Sequence, residues 1–167
     1  MIKYVKGDIL SPNTSDSIVL ICHQVNCMGV MGAGLAKQVR TKYPWIYESY
    51  RKRCEEASLK SNLLGEVQFC SILPNTGYVI ANVFGQETFG RDGKCYTDYD
   101  ALRKAFAYIA ETLLPQDVVR IPYKMGCGLG GGDWDVVLDI IDEAFRDKEV
   151  AVEIWERDNG KGKHAFN

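Results

Sequence analysis

One short stretch of the sequence carries five glycines in seven positions, 126–132, and it limits the fold more than any other feature. An apolar run, Val118–Ile121, precedes it, and apolar residues at helical spacing follow it from Trp134 onward. Glycine loses more backbone entropy on folding than other residues and offers no side chain to pack. A glycine cluster between a strand and a helix therefore predicts a left-handed turn, or a backbone that a ligand approaches closely.

A second glycine-containing segment, 26–34, has the same setting. The nearly continuous apolar run Ser17–Cys22 before it predicts a strand that is covered on both faces. Apolar residues then recur at helical spacing up to Tyr43, and Pro44 is expected to break or restart this helix. We call 26–34 the first glycine loop and 125–133 the second glycine loop.

The remaining elements alternate in the same way. The predicted order is a strand over 2–6, a strand over 17–22, a helix ending near 43, a helix beyond Pro44, a hairpin of 66–72 and 78–84, a helix capped at Thr97 or Asp98 and ending at Pro115, a strand over 118–121, a helix from 134 and a strand over 150–155. This order predicts a three-layer α/β/α fold with a mixed, mostly parallel central sheet. Ligands bind such sheets beyond the carboxyl ends of the strands, so both glycine loops are expected on one rim.

Backbone amides at the start of a helix attract anions, because they lack intrahelical partners and the helix dipole adds partial positive charge. Two such loops suit a diphosphate. Neither loop ends in the Gly-Lys-Ser/Thr of a Walker loop, and the glycine spacing is not that of a Rossmann fingerprint. On pattern alone, a phosphate-containing ligand and glycines that only permit tight turns both stay open.

Length and composition bound the remaining possibilities. With 167 residues and 46% hydrophobic composition, we expect one domain over 1–156 and a charged, mobile tail over 157–167. A net charge of −2 gives no general attraction to nucleic acid or anionic membrane, so a bound polyanion would need a local site. The six cysteines follow no zinc-site spacing, and we expect free thiols. No apolar run is long enough to span a bilayer and no secretory signal opens the sequence, so we expect a cytoplasmic protein without a membrane partner.

Three motifs, taken together, resemble those of the macrodomain family, the ADP-ribose-binding fold. They are Gly7–Ile9, His23–Ala36 and Ile121–Trp134, and with the order of strands and helices they cover nearly the whole chain. The chain is most similar to the branch that contains the terminal ADP-ribose glycohydrolases, the antitoxins that remove ADP-ribose from DNA, and the yeast-type ADP-ribose-1''-phosphate phosphatases. Asn62–Gly65 is similar to the last group.

The resemblance implies a role for each motif residue. Asp8 would accept a hydrogen bond from the adenine amino group, Asn26 would face the distal ribose, and the amides of the second glycine loop would hold the diphosphate. The implied ligand-binding residues are Asp8, Ile9, Asn26, Gly29, Gly32, Ala33, Gly34, Met125, Gly126, Cys127, Gly128, Leu129, Gly130 and Trp155. From the residues alone, Asp8 and Asn26 also fit ordinary turn positions, and Trp155 also fits a core position beside which no ligand lies.

The sequence departs from the glycohydrolase members at the residue that attacks the distal ribose. Those relatives carry a lysine just after the fourth strand, where this chain has Ala81–Gln86 without a lysine. Lys94 lies in the following loop and takes that role only if the loop returns to the site. The second-loop acid of the relatives falls near Gly130 by direct count, so Asp133 matches it only if the loop path shifts by three residues.

Asp133 and Asn26 are the catalytic candidates, as groups that orient a water on the distal ribose or its phosphate. Asp133 also fits the N-cap of the helix from Trp134, where a carboxylate has a lowered pKa and is a weaker base. His23 is a proton-transfer candidate or a core histidine, and Cys127 is a thiolate candidate or a small buried residue. By analogy with the family, the distal-ribose end would be covered by Gln86, Arg91, Tyr96 and Tyr99.

We therefore expect a macrodomain that binds ADP-ribose and hydrolyses a group from its distal ribose, with ADP-ribose-1''-phosphate phosphatase as the leading activity. The absent lysine weakens the glycohydrolase assignment more than the phosphatase one. Removal of ADP-ribose from protein or DNA is the first alternative, and a non-catalytic ADP-ribose reader is the second. The expected partners are ADP-ribose or a derivative and, under the first alternative, ADP-ribosylated protein or DNA. No cofactor and no metal is implied.

Overall fold

A computed structural model describes residues 1–12 and 16–158, and its elements follow the predicted order. The strands in these ranges are β1 (Ile2–Lys6), β2 (Val19–Asn26), β3 (Val67–Ser71), β4 (Tyr78–Gln86), β5 (Val118–Pro122) and β6 (Ala151–Glu156). The helices are α1 (Gly34–Lys42), α2 (Pro44–Glu56), α3 (Tyr99–Thr112) and α4 (Trp134–Phe145), and a short 3₁₀ helix spans Lys60–Leu63. Pro44 restarts a helix as predicted, since it occupies the first turn of α2.

The six strands form one sheet in the order β1-β6-β5-β2-β4-β3. Neighbouring strands are parallel except β3 and β4, which form the predicted antiparallel hairpin. This confirms the mixed, mostly parallel sheet. Because β5, β2 and β4 are adjacent and parallel, the loops that follow all three strands lie on one rim.

Helices cover both faces of the sheet. Val19, Ile21 and Val25 of β2 belong to the core cluster that includes buried residues of α1 and α2. Leu20 and Cys22, on the opposite face, belong to the cluster shared with α3 and α4. The apolar run in β2 is therefore covered on both faces, and the predicted three-layer α/β/α fold is confirmed.

The central strand is longer than predicted, because β2 continues beyond Cys22 to Asn26. The polar residues in this extension find partners on β4, where Asn82 is the register partner of His23 and Gln86 lies beyond Val83, the register partner of Gln24. The imidazole Nε2 of His23 lies 2.5 Å from Oδ1 of Asn82, and the amide of Gln24 donates to Oε1 of Gln86 at 2.8 Å. A polar side chain within a sheet is stable when a neighbouring strand satisfies it, and single-strand patterning does not show that partner.

The predicted domain boundary falls where β6 ends, at Glu156. Arg157 and Asp158 are the last described residues, and the rest of the predicted tail, 159–167, lies outside the described residues. All six cysteines are free thiols. None of the helices in the described ranges is long and apolar enough to cross a membrane.

Candidate functional site

A cavity of about 530 Å³ opens on the rim beyond β5, β2 and β4. Its walls are the two glycine loops and the segment 87–98 after β4, which we call the third loop. The lining residues are His23, Gln24, Val25, Asn26, Val30, Gly32, Ala33, Gly34, Leu35, Ala36, Gln86, Phe89, Gly90, Arg91, Pro122, Tyr123, Lys124, Met125, Gly126, Gly128, Leu129 and Gly130. The cavity has the size of a small-molecule site, and it lies where sheets of this kind bind ligands.

Asn26 organises the first glycine loop. Its Oδ1 accepts hydrogen bonds from the amide of Met28 at 3.0 Å, the amide of Val30 at 3.4 Å and the hydroxyl of Tyr50 at 2.9 Å. Its side-chain amide donates to the carbonyl of Val30 at 2.8 Å, which leaves one amide hydrogen for a ligand. Asn26 thus lines the cavity, but its first role is to fold the loop.

Gly29 differs from the other predicted residues of this loop. A Cβ at Gly29 would lie 3.6 Å from Cβ of Cys54, so this glycine faces α2. Gly32, Ala33 and Gly34 line the cavity as predicted, whereas Gly29 is outside the lining. The turn that Asn26 folds explains the difference, because it directs the middle of the loop away from the rim.

The start of α1 offers free hydrogen-bond donors to the cavity. Its N-cap residue is Ala33, and no side chain caps this end. Within the described part of the chain, the amides of Gly34, Leu35 and Ala36 donate to no acceptor, and all three residues line the cavity. In contrast, Asp98 caps α3 and Asp133 caps α4. The donors of α1 are left for an anion.

The second glycine loop offers a matching set of donors. Its own turns use the amide of Cys127, which donates to Lys124, and the amide of Gly132, which donates to Gly126 at 2.8 Å. Among the described residues, no acceptor takes the amides of Gly128, Leu129 and Gly130. Two sets of three unused amides therefore border one cavity.

The third loop is fastened to the second glycine loop. The amides of Tyr96 and Thr97 donate to the carbonyl of Gly130 at 2.7 and 3.0 Å, and the hydroxyl of Thr97 donates to the carbonyl of Gly126 at 2.7 Å. Gly131 has a φ of +69°, and a Cβ there would lie 2.3 Å from the carbonyl oxygen of Lys94. Only glycine fits at this crossing, which fixes how the two loops meet.

The charges that line the cavity are positive. Arg91 and Lys124 are in its lining, and no described lining residue is a carboxylate. Lys124 also has a φ of 58°, in the left-handed region that few side chains adopt. Strained backbone of this kind clusters at ligand sites. The arrangement favours an anionic ligand.

His23 lies in the lining and is buried, with 2% of its surface exposed. Burial lowers the pKa of His23 to about 4, although the hydrogen bond to Asn82 opposes this. The imidazole is therefore neutral near pH 7 and cannot serve as a general acid there. His23 is thus a buried histidine whose Nε2 is bonded to Asn82, while its Nδ1 has no partner among the described residues.

The thiolate interpretation of Cys127 is wrong. Burial, with a smaller contribution from the charge of nearby Asp133, raises the pKa of the Cys127 thiol to about 11. Its Sγ donates to the carbonyl of Met125 at 3.3 Å, and the side chain packs against the core instead of lining the cavity. Met125 is buried and does line the cavity, as predicted.

Asp133 lies at the start of α4 and not in the cavity lining. Its Oδ1 accepts from the amide of Asp135 at 2.9 Å, so the helix-cap interpretation is confirmed. Its own amide donates to the hydroxyl of Tyr99 at 2.9 Å. This position does not support the catalytic role expected for Asp133, because the turn closed by Gly132 ends the lining at Gly130.

The third loop contributes only part of the residues expected from it. Gln86 and Arg91 line the cavity. The hydroxyl of Tyr96 instead donates to Asp92 at 2.7 Å, and the ammonium of Lys94 pairs with the same carboxylate at 3.6 Å. Tyr96, Tyr99 and Lys94 are all outside the lining, so Lys94 is not in position to attack a ligand in this structure.

The loop after β1 forms a second recess beside the cavity, and Gly34 lines both. Asp8 is exposed there, and its Oδ1 accepts from the amide of Leu10 at 2.9 Å, which leaves the other oxygen available. Ile9 is buried behind it. The half-buried ring of Trp155 lies so close to Gly7 that a Cβ there would be 3.3 Å from the indole. Asp8 therefore lines this recess, whereas Ile9 and Trp155, which were also predicted to bind the ligand, lie next to it and are in the lining of neither cavity.

Sequence reasoning missed several lining residues, among them Gln24, Phe89, Tyr123 and Lys124. Gln24 carried a usable signal, since a polar residue late in a buried strand needs a partner or a ligand. Its Oε1 is buried without a partner among the described residues. Phe89 carried no comparable signal, because its position depends on the path of the third loop.

No family model matches the sequence, but individual relatives do. The chain is 35% identical over 157 residues to a protein of Meyerozyma guilliermondii named ADP-ribose 1''-phosphate phosphatase, covering 80% of this chain and 88% of that protein. It is 28% identical over 162 residues to a DNA ADP-ribosyl glycohydrolase of Mycobacterium tuberculosis, of which it spans 39%. A stretch of 58 residues is 41% identical to a Scheffersomyces stipitis phosphatase of the same name and spans only 34% of it.

Solved structures share the whole fold. A macrodomain protein from Streptomyces coelicolor superposes with a TM-score of 0.75 at 26% identity, covering 93% of this chain and 98% of that one. The macrodomain of Mycobacterium tuberculosis DarG superposes with a TM-score of 0.71 at 28% identity, covering 93% of this chain and 97% of that one. Thermosipho africanus DarTG, solved in complex with ADP-ribose, superposes with a TM-score of 0.65 at 20% identity, covering 87% of this chain and 39% of that one. At this identity the likeness supports the fold alone.

Proposed function

Because this chain belongs to the macrodomain family, we propose that its cavity binds ADP-ribose and that the protein hydrolyses the 1''-phosphate ester on the distal ribose of that nucleotide. The observation that carries the binding proposal is the pair of unused amide sets, Gly34–Ala36 and Gly128–Gly130, that border one cavity. A diphosphate presents two anionic groups in sequence. Each set of amides matches one of them.

With the diphosphate at the two sets of amides, the positions of adenine and the distal ribose follow. Adenine would lie at the recess, where Asp8 has one carboxylate oxygen free to accept from the exocyclic amino group. The indole of Trp155 lies beside this loop, against Gly7. The distal ribose would lie at the opposite end, near Asn26 and the third-loop residues Phe89 and Arg91. In this arrangement the ligand runs from β6 across the rim to β4.

Two observations favour the phosphatase over the glycohydrolase. The identity to the named phosphatase, 35% over 157 residues, is higher than the identity to the named DNA glycohydrolase, 28% over 162 residues. In addition, β4 ends in Gln86 where the glycohydrolase pattern has a lysine, and Lys94 lies outside the lining. A covalent attack by lysine therefore has no candidate at this place.

The proposed reaction is attack of water on the phosphorus of the 1''-phosphate. The bond between phosphorus and the 1''-oxygen breaks, and the products are ADP-ribose and inorganic phosphate. Phosphoryl transfer depends mainly on positioning and on stabilising negative charge. Arg91 and Lys124 supply the positive charge in the lining. Asn26 has one amide hydrogen left to orient the phosphate or the water.

A phosphate-release assay with ADP-ribose-1''-phosphate tests the proposal. We expect release by the wild-type protein, and a loss of at least tenfold in rate for Arg91→Gln, since removing one preorganised donor costs on the order of a hundredfold at some sites. Arg103→Gln, on the outside of α3, is the matched control and should leave the rate unchanged. Absence of phosphate release above a blank would refute the phosphatase. Release of free ADP-ribose from modified DNA or protein would then support the glycohydrolase alternative.

A further inference from the structure

The recess beside Asp8, which we call the adenosine-side recess, has a volume of about 780 Å³. It extends beyond the proposed place of adenine. One side is the loop after β1, and the other is the face of α1 that continues from Gly34. Lys37, Gln38, Thr41 and Lys42 line it along α1 at helical spacing. The recess thus extends along α1 for about 12 Å beyond the first amide.

Positive charge accumulates in this recess. Its lining holds Lys37, Lys42 and Arg157 against one carboxylate, Asp8. Across the described ranges, no ion pair joins any of the three cations to a carboxylate. The whole chain has a net charge of −2, so this accumulation is local and not a consequence of composition. An unpaired group of cations in a recess attracts an anion.

Resting on the proposed function, we infer that the adenosine-side recess binds a second anionic group of the nucleotide, a phosphate monoester on the ribose of adenosine. With adenine at Asp8 and the diphosphate at the start of α1, the adenosine ribose lies between them, at the edge that Gly34 shares with the recess. A phosphate on a hydroxyl group of this ribose would enter the recess, where Lys37 is the first cation along α1 and Lys42 lies further along. The recess would select 2′-phosphorylated ADP-ribose over ADP-ribose.

Exposure sets the size of the expected effect. Lys37, Lys42 and Arg157 are all exposed, so each contact with a phosphate contributes modestly and is weakened by salt. Together they predict a preference for the 2′-phosphorylated ligand on the order of tenfold at low ionic strength. The preference should fade in high salt, while the part of the affinity that comes from the amides should persist.

Calorimetric titration of the full chain with ADP-ribose and with ADP-ribose 2′-phosphate tests the inference. We expect the second ligand to bind more tightly to the wild-type protein, and the double substitution Lys37→Gln with Lys42→Gln to remove that difference. Lys52→Gln, on α2 and outside the recess, is the matched control and should keep the difference. Equal affinities of the wild type for the two ligands would overturn the inference but leave the proposed function intact. If neither ligand bound, the proposed function itself would fail.

Discussion

The guanidinium of Arg120 stacks on the indole ring of Trp155, 4.5 Å from the ring centroid, beneath the loop that carries Asp8. The same group donates to the carbonyls of Ile9 at 3.0 Å and Ser11 at 2.8 Å. Arg120 is buried, with 6% of its surface exposed, and its nearest carboxylate is Glu153 at 3.7 Å. One buried side chain therefore holds both the aromatic ring and the acidic loop at the proposed adenine end.

Arg120→Met should lower both stability and ADP-ribose affinity. The substitution removes the side-chain donor to the carbonyl of Ile9 and leaves the partly buried carboxylate of Glu153 without its cation. The carbonyl of Ser11 keeps a bond from the hydroxyl of Tyr78. We expect a cost of about 2–4 kcal/mol in the free energy of unfolding. Urea unfolding measures the first effect and calorimetry the second. Arg103→Met, which breaks only an exposed ion pair with Asp100, should cost less than about 1 kcal/mol. Equal losses for the two variants would contradict the role of Arg120.

Asp133→Ala should destabilise the protein without slowing the reaction. Loss of the cap of α4 costs about 1 kcal/mol, and Asp133→Ser, which can still cap, should recover most of it. Because Asp133 is outside the cavity lining, phosphate release by the folded protein should match the wild-type rate for both variants. A serine variant that is stable but inactive would show that Asp133 is catalytic after all.

Gly131→Ala and Gly93→Ala separate a steric effect from a backbone effect. Both residues have positive φ, +69° and +75°, but a Cβ at Gly131 would meet the carbonyl of Lys94, whereas a Cβ at Gly93 meets nothing within 4 Å. Gly93→Ala should cost about 1–2 kcal/mol in the free energy of unfolding. Gly131→Ala should cost clearly more and also weaken ADP-ribose binding, since the third loop must move. Thermal unfolding and calorimetry of the two variants side by side check this.

The pH dependence of stability should carry a contribution from His23. Burial lowers its pKa in the folded protein to about 4 from the 6.5 of an exposed histidine, so between these values the unfolded chain binds a proton that the folded one does not. Stability is therefore unaffected above pH 6.5 and falls as the pH drops toward 4, by about 2 kcal/mol between pH 7 and pH 5. Urea unfolding of the wild type and of His23→Gln, each at pH 7 and at pH 5, isolates the contribution of His23 to stability. An identical pH dependence in the two proteins would contradict it.

The order of the elements was predictable because each one shows in local periodicity. The apolar run in β2, the spacing behind Trp134 and the turn at Pro74–Gly77 each specify an element without reference to its neighbours. Parallel strands connected by helices then place the loops after β2 and β5 on one rim. The proposed diphosphate site between the amides of Gly34–Ala36 and Gly128–Gly130 follows from these two steps.

The side chains of the site were less predictable, because their roles depend on contacts between distant segments. The side chain of Asn26 is held in its own loop by a hydrogen bond from the hydroxyl of Tyr50, which lies 24 residues away in the chain. Gly29 faces Cys54 for the same reason. Burial by the packed core, and not the neighbouring amides, determines the protonation of Cys127. None of these partners can be identified from the spacing of residues within a motif.

Calorimetric titration of the wild-type protein with ADP-ribose and with adenosine tests the central claim most directly. If the two amide sets hold the diphosphate, ADP-ribose should bind at one site per chain, and adenosine, which lacks the diphosphate, should bind weaker by on the order of a hundredfold. Absence of measurable ADP-ribose binding, or equal affinity for adenosine, would contradict the claim that Gly34–Ala36 and Gly128–Gly130 form a diphosphate site.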